Sequence, residues 1–491
     1  MNDGHDLELL LKSHLPLIVI ESYEEPHLLQ LISRIGLQQY KPVYRWSITD
    51  GLKRIDLDLA SAVERADAEK VLWQIRDKRE AGIYILCDFH PYLDEPLNVR
   101  LIKDIALAHE QSHITLVLLS HHIALPAELS RFSARAELAM PSQGELERIV
   151  TEAAREWRDL HKKSVQTDRE SFQLLVQNLN GLTTADARRL ARTAIFDDGS
   201  ISAGDIPQVI KARHRLLRGD DVLSLEFDTA RFSEVGGLHR LKAWLEQRKP
   251  VFRGEAADAP LDPPRGMLLL GVQGSGKSLA AKASAGMFDV PLLRLDFATI
   301  YNKYHGETER NLREALKTAE AMAPCVLWID EIEKGLAPAG NDGGTSQRVL
   351  GTLLTWMAER RAPVFLVATA NDIERLPAEL VRKGRFDEIF FVDLPDEAVR
   401  RDIFAIHLAR RGLDAQAFDT ALLAAQSDGF SGAEIEQAIV SSLYASHAQG
   451  GPLETGHILD ELYRTRPLSV VMREKVDYLR EWASGRTVPA D

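Results

Sequence analysis

The sequence predicts an α/β fold in which a parallel sheet carries a phosphate-binding loop, preceded by a second α/β domain of similar plan. Three observations lead to this prediction. An apolar strand runs straight into a glycine-rich loop and a helix, a second apolar strand ends in two carboxylates, and from about residue 225 short apolar strands alternate with longer helical patterns. At 491 residues the chain is also too long for one ordinary domain.

The glycine-rich loop has P-loop spacing. The strand at residues 266–270 leads into residues 271–278, which match G-x-x-x-x-G-K-[ST], and the helix-forming residues 279–283 follow. Glycines let backbone N–H groups converge on phosphate oxygens, and a helix N-terminus adds positive potential. The residues expected to bind nucleotide here are Gly271, Gly274, Ser275, Gly276, Lys277, Ser278 and Leu279.

Two side chains of this loop have specific expected roles. Lys277 would reach the β- and γ-phosphates, and the Ser278 hydroxyl would hold Mg²⁺. The alternative is a Gly/Ser-rich turn without a ligand. The flanking strand and helix favour the nucleotide site, because they are the structural context in which this motif binds phosphate.

The second strand, at residues 325–329, is followed by two carboxylates. Such an apolar run is typical of a buried central strand, and its carboxyl end is where α/β sheets bind ligands. Asp330 is expected to act on the Mg²⁺ shell, and Glu331 to take the proton of the attacking water. A solvated acidic pair is the alternative, and it would be favoured if no P-loop preceded it.

A third strand, at residues 364–370, ends at Asn371, whose amide can orient the attacking water. Residues 371–387 resemble the second region of homology of the AAA subfamily of AAA+ ATPases. The resemblance implies that Asn371 is sensor 1 and that Arg382 and Arg385 are paired arginine fingers. Exposed arginines on a solvated loop are the alternative, which fits either arginine alone but not both at the family's spacing.

The arginine fingers imply an oligomer. In the family they act on the γ-phosphate held by the neighbouring subunit, so the resemblance implies a homo-oligomeric ring, usually a hexamer. An arginine finger contributes about 10³- to 10⁵-fold to turnover, so an isolated protomer should be nearly inactive.

Two further segments carry the same resemblance. Residues 232–238 resemble the segment that lies against adenine, which implies that Val235 and Gly236 lie near the base. Residues 428–434 resemble the start of the lid helix, where the subfamily has Gly432 and Ala433 in place of a sensor-2 arginine. The resemblance implies ATP and Mg²⁺ as ligands.

The whole chain is similar to the hypothetical chloroplast open reading frame 46 proteins and their bacterial relatives. Residues 328–334 and 380–391 carry that likeness, and Lys383 replaces the proline usual between the two fingers. Residues 301–307 resemble the pore loop of AAA translocases, and Tyr304 has the position of the aromatic that grips polypeptide. The alternative is a tyrosine packed on its own domain, and His305 departs from the usual small apolar residue.

The first half of the chain has no P-loop. A strand at residues 16–20 is followed by residues 21–26, whose three carboxylates would repel phosphate. Later runs parallel the second half: 42–46 parallels 291–295, 83–88 parallels the strand ending at Asp330, 114–119 parallels the strand ending near Asn371, 138–141 parallels 392–395, and 181–186 parallels 429–434. We expect a degenerate AAA-like domain that does not hydrolyse ATP; an unrelated α/β domain with similar strand spacing is the alternative.

The expected organisation has five parts. They are a degenerate AAA-like α/β domain at 1–140, a helical lid-like segment at 141–215, a linker at 216–228, an AAA+ ATPase core at 229–394, and a helical lid with a C-terminal helix at 395–491.

One motif match is expected to be a coincidence. His109 and His113 fit H-E-x-x-H, the zinc-protease pattern, which needs both histidines on one helical face. A β run starts at Ile114, so we expect His113 to lie off the helix, and Leu116 stands where the longer form of the motif has a glycine.

Composition narrows the cellular setting. A net charge of −13 disfavours nucleic acid as a partner, and no apolar run approaches the roughly 20 residues of a membrane helix. Cys87 and Cys325 lie in apolar strand-like runs, typical of buried thiols in a reducing compartment. Together with an acidic amino terminus, this predicts a cytoplasmic protein.

These features predict a Mg²⁺-dependent ATPase that assembles as a ring and remodels or threads protein substrates. The alternative is a nucleotide-gated regulatory scaffold that binds partners without translocating them. The sequence identifies neither the substrate nor the pathway.

Overall fold

A computed structural model describes residues 3–13, 15–22, 24–56, 67–137, 140–202, 204–217, 222–226, 232–255, 260–301, 308–336, 343–382 and 384–491. The chain forms two compact units. The first comprises residues 1–165 and 182–199, and the second comprises residues 166–181 and 200–491.

The first unit is built on a six-stranded sheet. Its strands are β1 (Leu17–Glu21), β2 (Val43–Ser47), β3 (Gly51–Arg54), β4 (Gly82–Cys87), β5 (Ile114–Ser120) and β6 (Ser133–Glu137), and its helices are α1 (Asp3–Lys12), α2 (Glu25–Gln38), α3 (Ala68–Lys78), α4 (Pro96–Leu107) and α5 (His109–Ser112). The strand order is β3-β2-β4-β5-β1-β6, and all neighbours are parallel except β2 and β3. Helices α1 and α2 pack on one face and α3 and α4 on the other, so β5 is buried along its whole length.

Four helices and two short strands follow. They are α6 (Gln143–His161), β7 (Gln166–Thr167), α7 (Arg169–Asn178), α8 (Thr184–Phe196), β8 (Ser200–Ile201) and α9 (Ile206–Leu217). Helices α6 and α8 pack together in the first unit, whereas α7 and α9 pack together in the second. The segment expected to form a lid-like part of the first half is therefore helical, but its helices divide between the two units.

The second unit is built on a seven-stranded sheet. Its strands are β9 (Leu223–Glu226), β10 (Gly266–Gly271), β11 (Leu292–Leu295), β12 (Cys325–Ile329), β13 (Val364–Ala370), β14 (Glu388–Val392) and β15 (Val488–Pro489), and the helices beside it are α10 (His239–Phe252), α11 (Lys277–Phe288), α12 (Phe297–Tyr301), α13 (Thr308–Ala321), α14 (Ile332–Leu336) and α15 (Gly343–Glu359). The order is β15-β14-β10-β13-β12-β11-β9, parallel throughout except for β9. Strand β9 lies within the segment expected to be a linker.

A helical lid follows the second sheet. Its helices are α16 (Glu397–Arg410), α17 (Thr420–Gln426), α18 (Gly432–Gln449) and α19 (Thr455–Arg464), and α20 (Leu468–Val471) and α21 (Arg473–Ala483) come after them. The four lid helices share an apolar core of their own, which includes Phe404, Leu408, Ile435 and Leu462. Helix α21 instead packs against the sheet core through Leu479.

The two sheets have the same strand order. From one edge, β3-β2-β4-β5-β1-β6 corresponds to β9-β11-β12-β13-β10-β14. The registers also agree, because the Pro42 carbonyl accepts from the Ile83 N–H and the Pro291 carbonyl accepts from the Val326 N–H, both at 2.9 Å. The predicted repeat of plan is confirmed, with two differences. Edge strand β3 comes after its neighbour β2 in the chain, whereas β9 comes before its neighbour β11, and β15 has no counterpart in the first sheet.

The register corrects one predicted equivalence. Strands β4 and β5 pair first residue to first residue, and so do β12 and β13. Counting along the strands aligns Asp88 with Glu331, not with Asp330 as the sequence parallel had it. Asp88 and Glu331 also share a left-handed backbone, with φ of 51° and 47°.

The structure confirms that the H-E-x-x-H match is not on one helical face. Helix α5 ends at Ser112, His113 has a left-handed backbone with φ of 52°, and β5 begins at Ile114. His109 is instead buried, and its Nδ1 atom lies 2.6 Å from the carbonyl oxygen of Ile114.

Both cysteines are buried free thiols, as predicted. Burial raises the pKa of Cys87 and of Cys325 to about 12, so neither is a thiolate at neutral pH. Within the described part of the chain, no helix is long and apolar enough to cross a membrane.

Candidate active site

A cavity of about 430 Å³ lies at the carboxyl edge of the second sheet. The P-loop, the ends of β12 and β13, and the lid helices α16 and α18 line it. The sequence-predicted residues in this lining are Val235, Gly236, Gly274, Ser275, Gly276, Lys277, Ser278, Leu279, Asp330, Glu331, Asn371, Gly432 and Ala433. The structure therefore brings together residues that span about two hundred positions of the chain.

Two glycines fix the shape of the P-loop. Gly276 has φ of 96° and caps the N-terminus of α11, a conformation that strains any residue with a side chain. Gly274 has φ of 80°, and a Cβ there would lie 2.9 Å from the Ser431 hydroxyl. The loop can thus curl beneath the lid only because these positions lack side chains.

Lys277 is buried within the loop. Its ammonium donates to the carbonyl oxygens of Gly271 at 3.0 Å and Val272 at 2.7 Å. Burial lowers the pKa of Lys277 to about 8, against an opposing effect of the nearby carboxylates. Gly271 does not line the cavity, but its carbonyl holds the lysine.

The Asp330 carboxylate connects the end of strand β12 to helix α11 and strand β13. Its Oδ1 accepts from the Ser278 hydroxyl at 3.2 Å and from the Thr369 hydroxyl at 2.5 Å. A carboxylate beside a hydroxyl is a hard oxygen set that suits Mg²⁺, so Ser278 and Asp330 fit the predicted metal. Thr369 was not predicted, although a hydroxyl residue near the end of an apolar strand was a visible signal.

Glu331 follows β12 and has a strained, left-handed backbone with φ of 47°. Its Oε1 accepts from the Asn371 amide at 2.9 Å, and its Oε2 pairs with the Lys334 ammonium. The backbone N–H of Glu331 donates to the Thr369 hydroxyl at 2.9 Å, which supports the left-handed conformation. The predicted proton acceptor and the predicted sensor are therefore in direct contact.

Glu333 holds the backbone of Asn371, the predicted sensor. Its Oε1 accepts from the Asn371 backbone N–H at 3.0 Å, and the side chain is 2% exposed. Burial raises the pKa of Glu333 above its usual range. This contact of Glu333 could not be predicted from the sequence, because it depends on how the end of β13 lies against α14.

The lid contacts the loop directly. The Ala433 N–H donates to the Gly274 carbonyl at 3.3 Å, and Ser431 caps α18 with Glu434 in a capping box. Gly236 fits closely against the lid, since a Cβ there would lie 2.7 Å from Ile403. Lid residues that line the cavity without having been predicted are Ile403, Ile406, His407, Arg410 and Glu436.

The two predicted arginine fingers lie outside the cavity lining. Arg385 donates to the Leu354 carbonyl on α15 at 2.5 Å, and Arg382 is exposed. Asp387 links the end of the segment that carries both arginines to the start of β10, because its Oδ2 accepts from the backbone N–H groups of Arg265 and Gly266. The structure thus does not bring the fingers to the cavity of their own chain.

Several predictions fall wholly or partly outside the described residues, including the linker at 216–228. Others concern Tyr304, Lys383 and the parallel that includes residues 138–139.

Family profiles match three regions of the chain. Residues 267–394 match the ATPase family associated with various cellular activities (AAA). Residues 4–138 match the N-terminal domain of SpoVK-like AAA ATPases, and residues 144–220 match the second domain of those proteins.

The chain also has full-length relatives. It is 34% identical over 485 residues to the AAA domain-containing protein ycf46 of Guillardia theta. The aligned region covers 98% of this chain and 94% of that protein. It is 33% identical over 488 residues to the protein of the same name from Pyropia yezoensis, covering 98% of each. The cell division cycle protein 48 homolog of Archaeoglobus fulgidus is 28% identical over 339 residues, covering 62% of this chain and 44% of that protein.

The pKa of Lys277 predicts that ATP binding weakens at alkaline pH. Phosphate oxygens beside the ammonium would raise this pKa above its nucleotide-free value of about 8, so binding takes up a proton once the free lysine is neutral. ATP affinity at saturating Mg²⁺ should fall by up to about tenfold per pH unit above that value. Calorimetry between about pH 7 and pH 9, in two buffers of different ionisation enthalpy, measures both the affinity and the proton uptake.

Lys277→Arg is the matched control for this titration. Its guanidinium stays charged throughout the range, so any remaining ATP affinity should be independent of pH. Wild-type affinity that stays constant across the range would contradict the prediction.

Proposed function

The chain belongs to the family of ycf46 AAA domain-containing proteins, and we propose that it is a Mg²⁺-dependent ATPase that hydrolyses ATP in the cavity described above. The observation that carries this proposal is the contact between Glu331 and Asn371 beside the Asp330–Ser278 pair. A carboxylate held by an amide, next to an oxygen site for Mg²⁺, is what an attacking water needs in phosphoryl transfer.

Each residue then has a defined part. Lys277 turns from its own loop carbonyls towards the β- and γ-phosphates, and the P-loop N–H groups bind their oxygens. Ser278 and Asp330 hold Mg²⁺, which supplies positive charge at the phosphate oxygens when bound. Glu331 accepts the proton of the water that Asn371 orients.

Glu331→Gln tests the proton acceptor. Glutamine keeps the shape of the side chain but cannot take a proton, so turnover should fall by about 10²- to 10⁴-fold while ATP binding is retained. Steady-state phosphate release and calorimetric ATP binding measure the two effects. Glu374→Gln, which changes an exposed carboxylate after β13, is the control and should leave both unchanged. Wild-type turnover in Glu331→Gln would refute the assignment.

We further propose that the active unit is a homo-oligomeric ring, hexameric as in the resembled subfamily. Arg385 is tied to α15 and Arg382 points into solvent, so neither lines the cavity of its own chain. Guanidinium groups supplied by a neighbouring subunit would complete the site. The two buried thiols suit a reducing compartment, in keeping with the expected cytoplasmic location.

Mixing two inactive variants tests the shared site. Glu331→Gln lacks the proton acceptor and Arg385→Ala lacks a finger, so each alone should be nearly inactive. A mixed ring pairs an intact cavity with an intact finger, and an equal mixture should recover about one quarter of wild-type turnover, because about half the cavities are intact and about half of those have a finger-bearing neighbour.

The control for mixing is a double variant that carries both substitutions. Combined with Glu331→Gln, it offers no intact cavity and should stay inactive. Turnover of the Glu331→Gln and Arg385→Ala mixture no higher than the sum of the two alone would contradict the shared site, and so would brisk hydrolysis by a solitary chain.

We propose that hydrolysis drives remodelling or threading of protein substrates, since residues 301–307 resemble a pore loop with an aromatic at Tyr304. The second candidate is a nucleotide-gated regulatory scaffold, in which ATP controls partner binding without translocation. The net charge of −13 favours a protein over a nucleic acid as the partner in either case.

Tyr304→Ala distinguishes the two candidates. A motor should keep its ATP turnover yet lose remodelling, measured as unfolding of a tagged reporter protein, because the aromatic contact with the polypeptide is gone. Tyr304→Phe keeps the ring and should retain remodelling. A scaffold would keep hydrolysis and partner binding in both variants, and its wild type would not unfold the reporter. Absence of unfolding by the wild type would exclude the motor, and unfolding by Tyr304→Ala at the wild-type rate would refute the role of Tyr304.

A further inference from the structure

The first unit carries a polar cluster at the carboxyl edge of its own sheet. Asp88 follows β4, His90 begins the 3-10 helix His90–Asp94, and His121 follows β5. One donor atom from each residue lies within 4.8 Å of the other two. Asp88 and His121 are exposed and His90 is half-buried, so the cluster is open to solvent.

These residues occupy the positions of the catalytic corner in the second unit. The shared register aligns Asp88 with Glu331, and continuing along the same chain aligns His90 with Glu333. The residue after β5 corresponds likewise to Asn371. The backbone that gathers two carboxylates and an amide in one sheet therefore gathers one carboxylate and two imidazoles in the other.

Nucleotide phosphate does not suit this edge. In the second unit the Ala433 N–H at the start of α18 donates to the P-loop, whereas in the first unit the Ala185 N–H at the start of α8 donates to the Glu24 carboxylate at 3.2 Å. Glu24 is 6% exposed, so its buried carboxylate occupies the helix N-terminus that a phosphate would have to bind.

Ser120 lies at the centre of the cluster. Its hydroxyl is 2.9 Å from the Asp88 Oδ1, 2.9 Å from the His90 Nδ1 and 3.3 Å from the His121 Nδ1. A hydroxyl has one proton and two lone pairs, so it can satisfy all three groups at once only if it donates to Asp88 and both imidazoles donate to it. Ser120 thus holds the three side chains together by hydrogen bonds, which a metal bound through Nδ1 would replace.

We propose that Asp88, His90 and His121 bind one transition-metal dication, with Zn²⁺ as the best match. Two imidazole nitrogens and a carboxylate oxygen form a donor set that Zn²⁺ and its neighbours prefer, whereas Mg²⁺ prefers oxygen alone. Donor atoms around tetrahedral Zn²⁺ lie about 3.3 Å apart, so the present atoms must approach by up to about 1.5 Å, which side-chain rotation supplies. The exposed side leaves a position for water or a fourth donor.

The experiment measures Zn²⁺ binding to the full-length, untagged chain without nucleotide. Calorimetry should give one tight equivalent, and Co²⁺ should give the visible absorption bands of a low-symmetry nitrogen–oxygen site. His121→Ala and Asp88→Asn should each weaken Zn²⁺ binding by at least about tenfold, since even the loss of an outer-sphere partner costs that much. Bound Zn²⁺ should also raise the unfolding temperature of the wild type.

The choice of substitutions guards against misfolding. Asparagine tolerates a left-handed backbone, so Asp88→Asn removes the charge without straining φ of 51°. His113→Asn is the matched control, because His113 lies at the opposite end of β5 with φ of 52° and belongs to the coincidental H-E-x-x-H match. It should bind Zn²⁺ as the wild type does.

Three results would overturn the proposal: no Zn²⁺ binding by the wild type, undiminished binding by both cluster variants, or an equal loss in His113→Asn. The first would leave Ser120 and its partners as a hydrogen-bonded cluster only. ATP turnover plays no part in the readout, so failure here is distinguishable from failure of the proposed ATPase.

Discussion

The active site depends on one constraint, the common carboxyl edge of neighbouring parallel strands. The Asp330 carboxylate accepts hydrogen bonds from Ser278 and Thr369, which come from helix α11 and strand β13. Those bonds exist only while β10, β12 and β13 keep their register, and the register is set by strands buried on both faces. A one-residue slip would turn each of these side chains to the other face and separate the site.

The same constraint acts on the first sheet with different side chains. Strand order, register and the left-handed corner at Asp88 are those of the second sheet, yet Glu24 replaces the P-loop carbonyl at the lid helix. Stability of the sheet therefore does not require the nucleotide site. The buried strand residues determine the backbone, so the residues just past the strand ends can differ between the two sheets without changing the fold.

The sequence was informative where a motif is local. The P-loop, Asp330, Glu331 and Asn371 each follow a recognisable strand, so their convergence could be predicted from strand order alone. Glu333 could not, and the only signal for Thr369 was a hydroxyl near a strand end. The partners of both residues lie across strands and depend on register to within one residue. The same uncertainty produced the incorrect pairing of Asp88 with Asp330. The α16 residues that line the cavity carry no local signal, since they lie beside it through packing of α16 against Gly236.

In the proposed ring, where Arg385 would act as a finger, its anchoring would let a neighbouring site sense the nucleotide of this chain. Its guanidinium donates to the Leu354 carbonyl on α15, and α15 packs against α14. Helix α14 begins at Ile332, directly after Glu331, and contains Glu333, which holds Asn371. A shift of the Glu331–Asn371 corner would therefore reach the finger through two packed helices, without any contact between the finger and its own cavity. Such coupling needs the finger to be fastened to the scaffold, because a freely mobile arginine would carry no information about the site behind it.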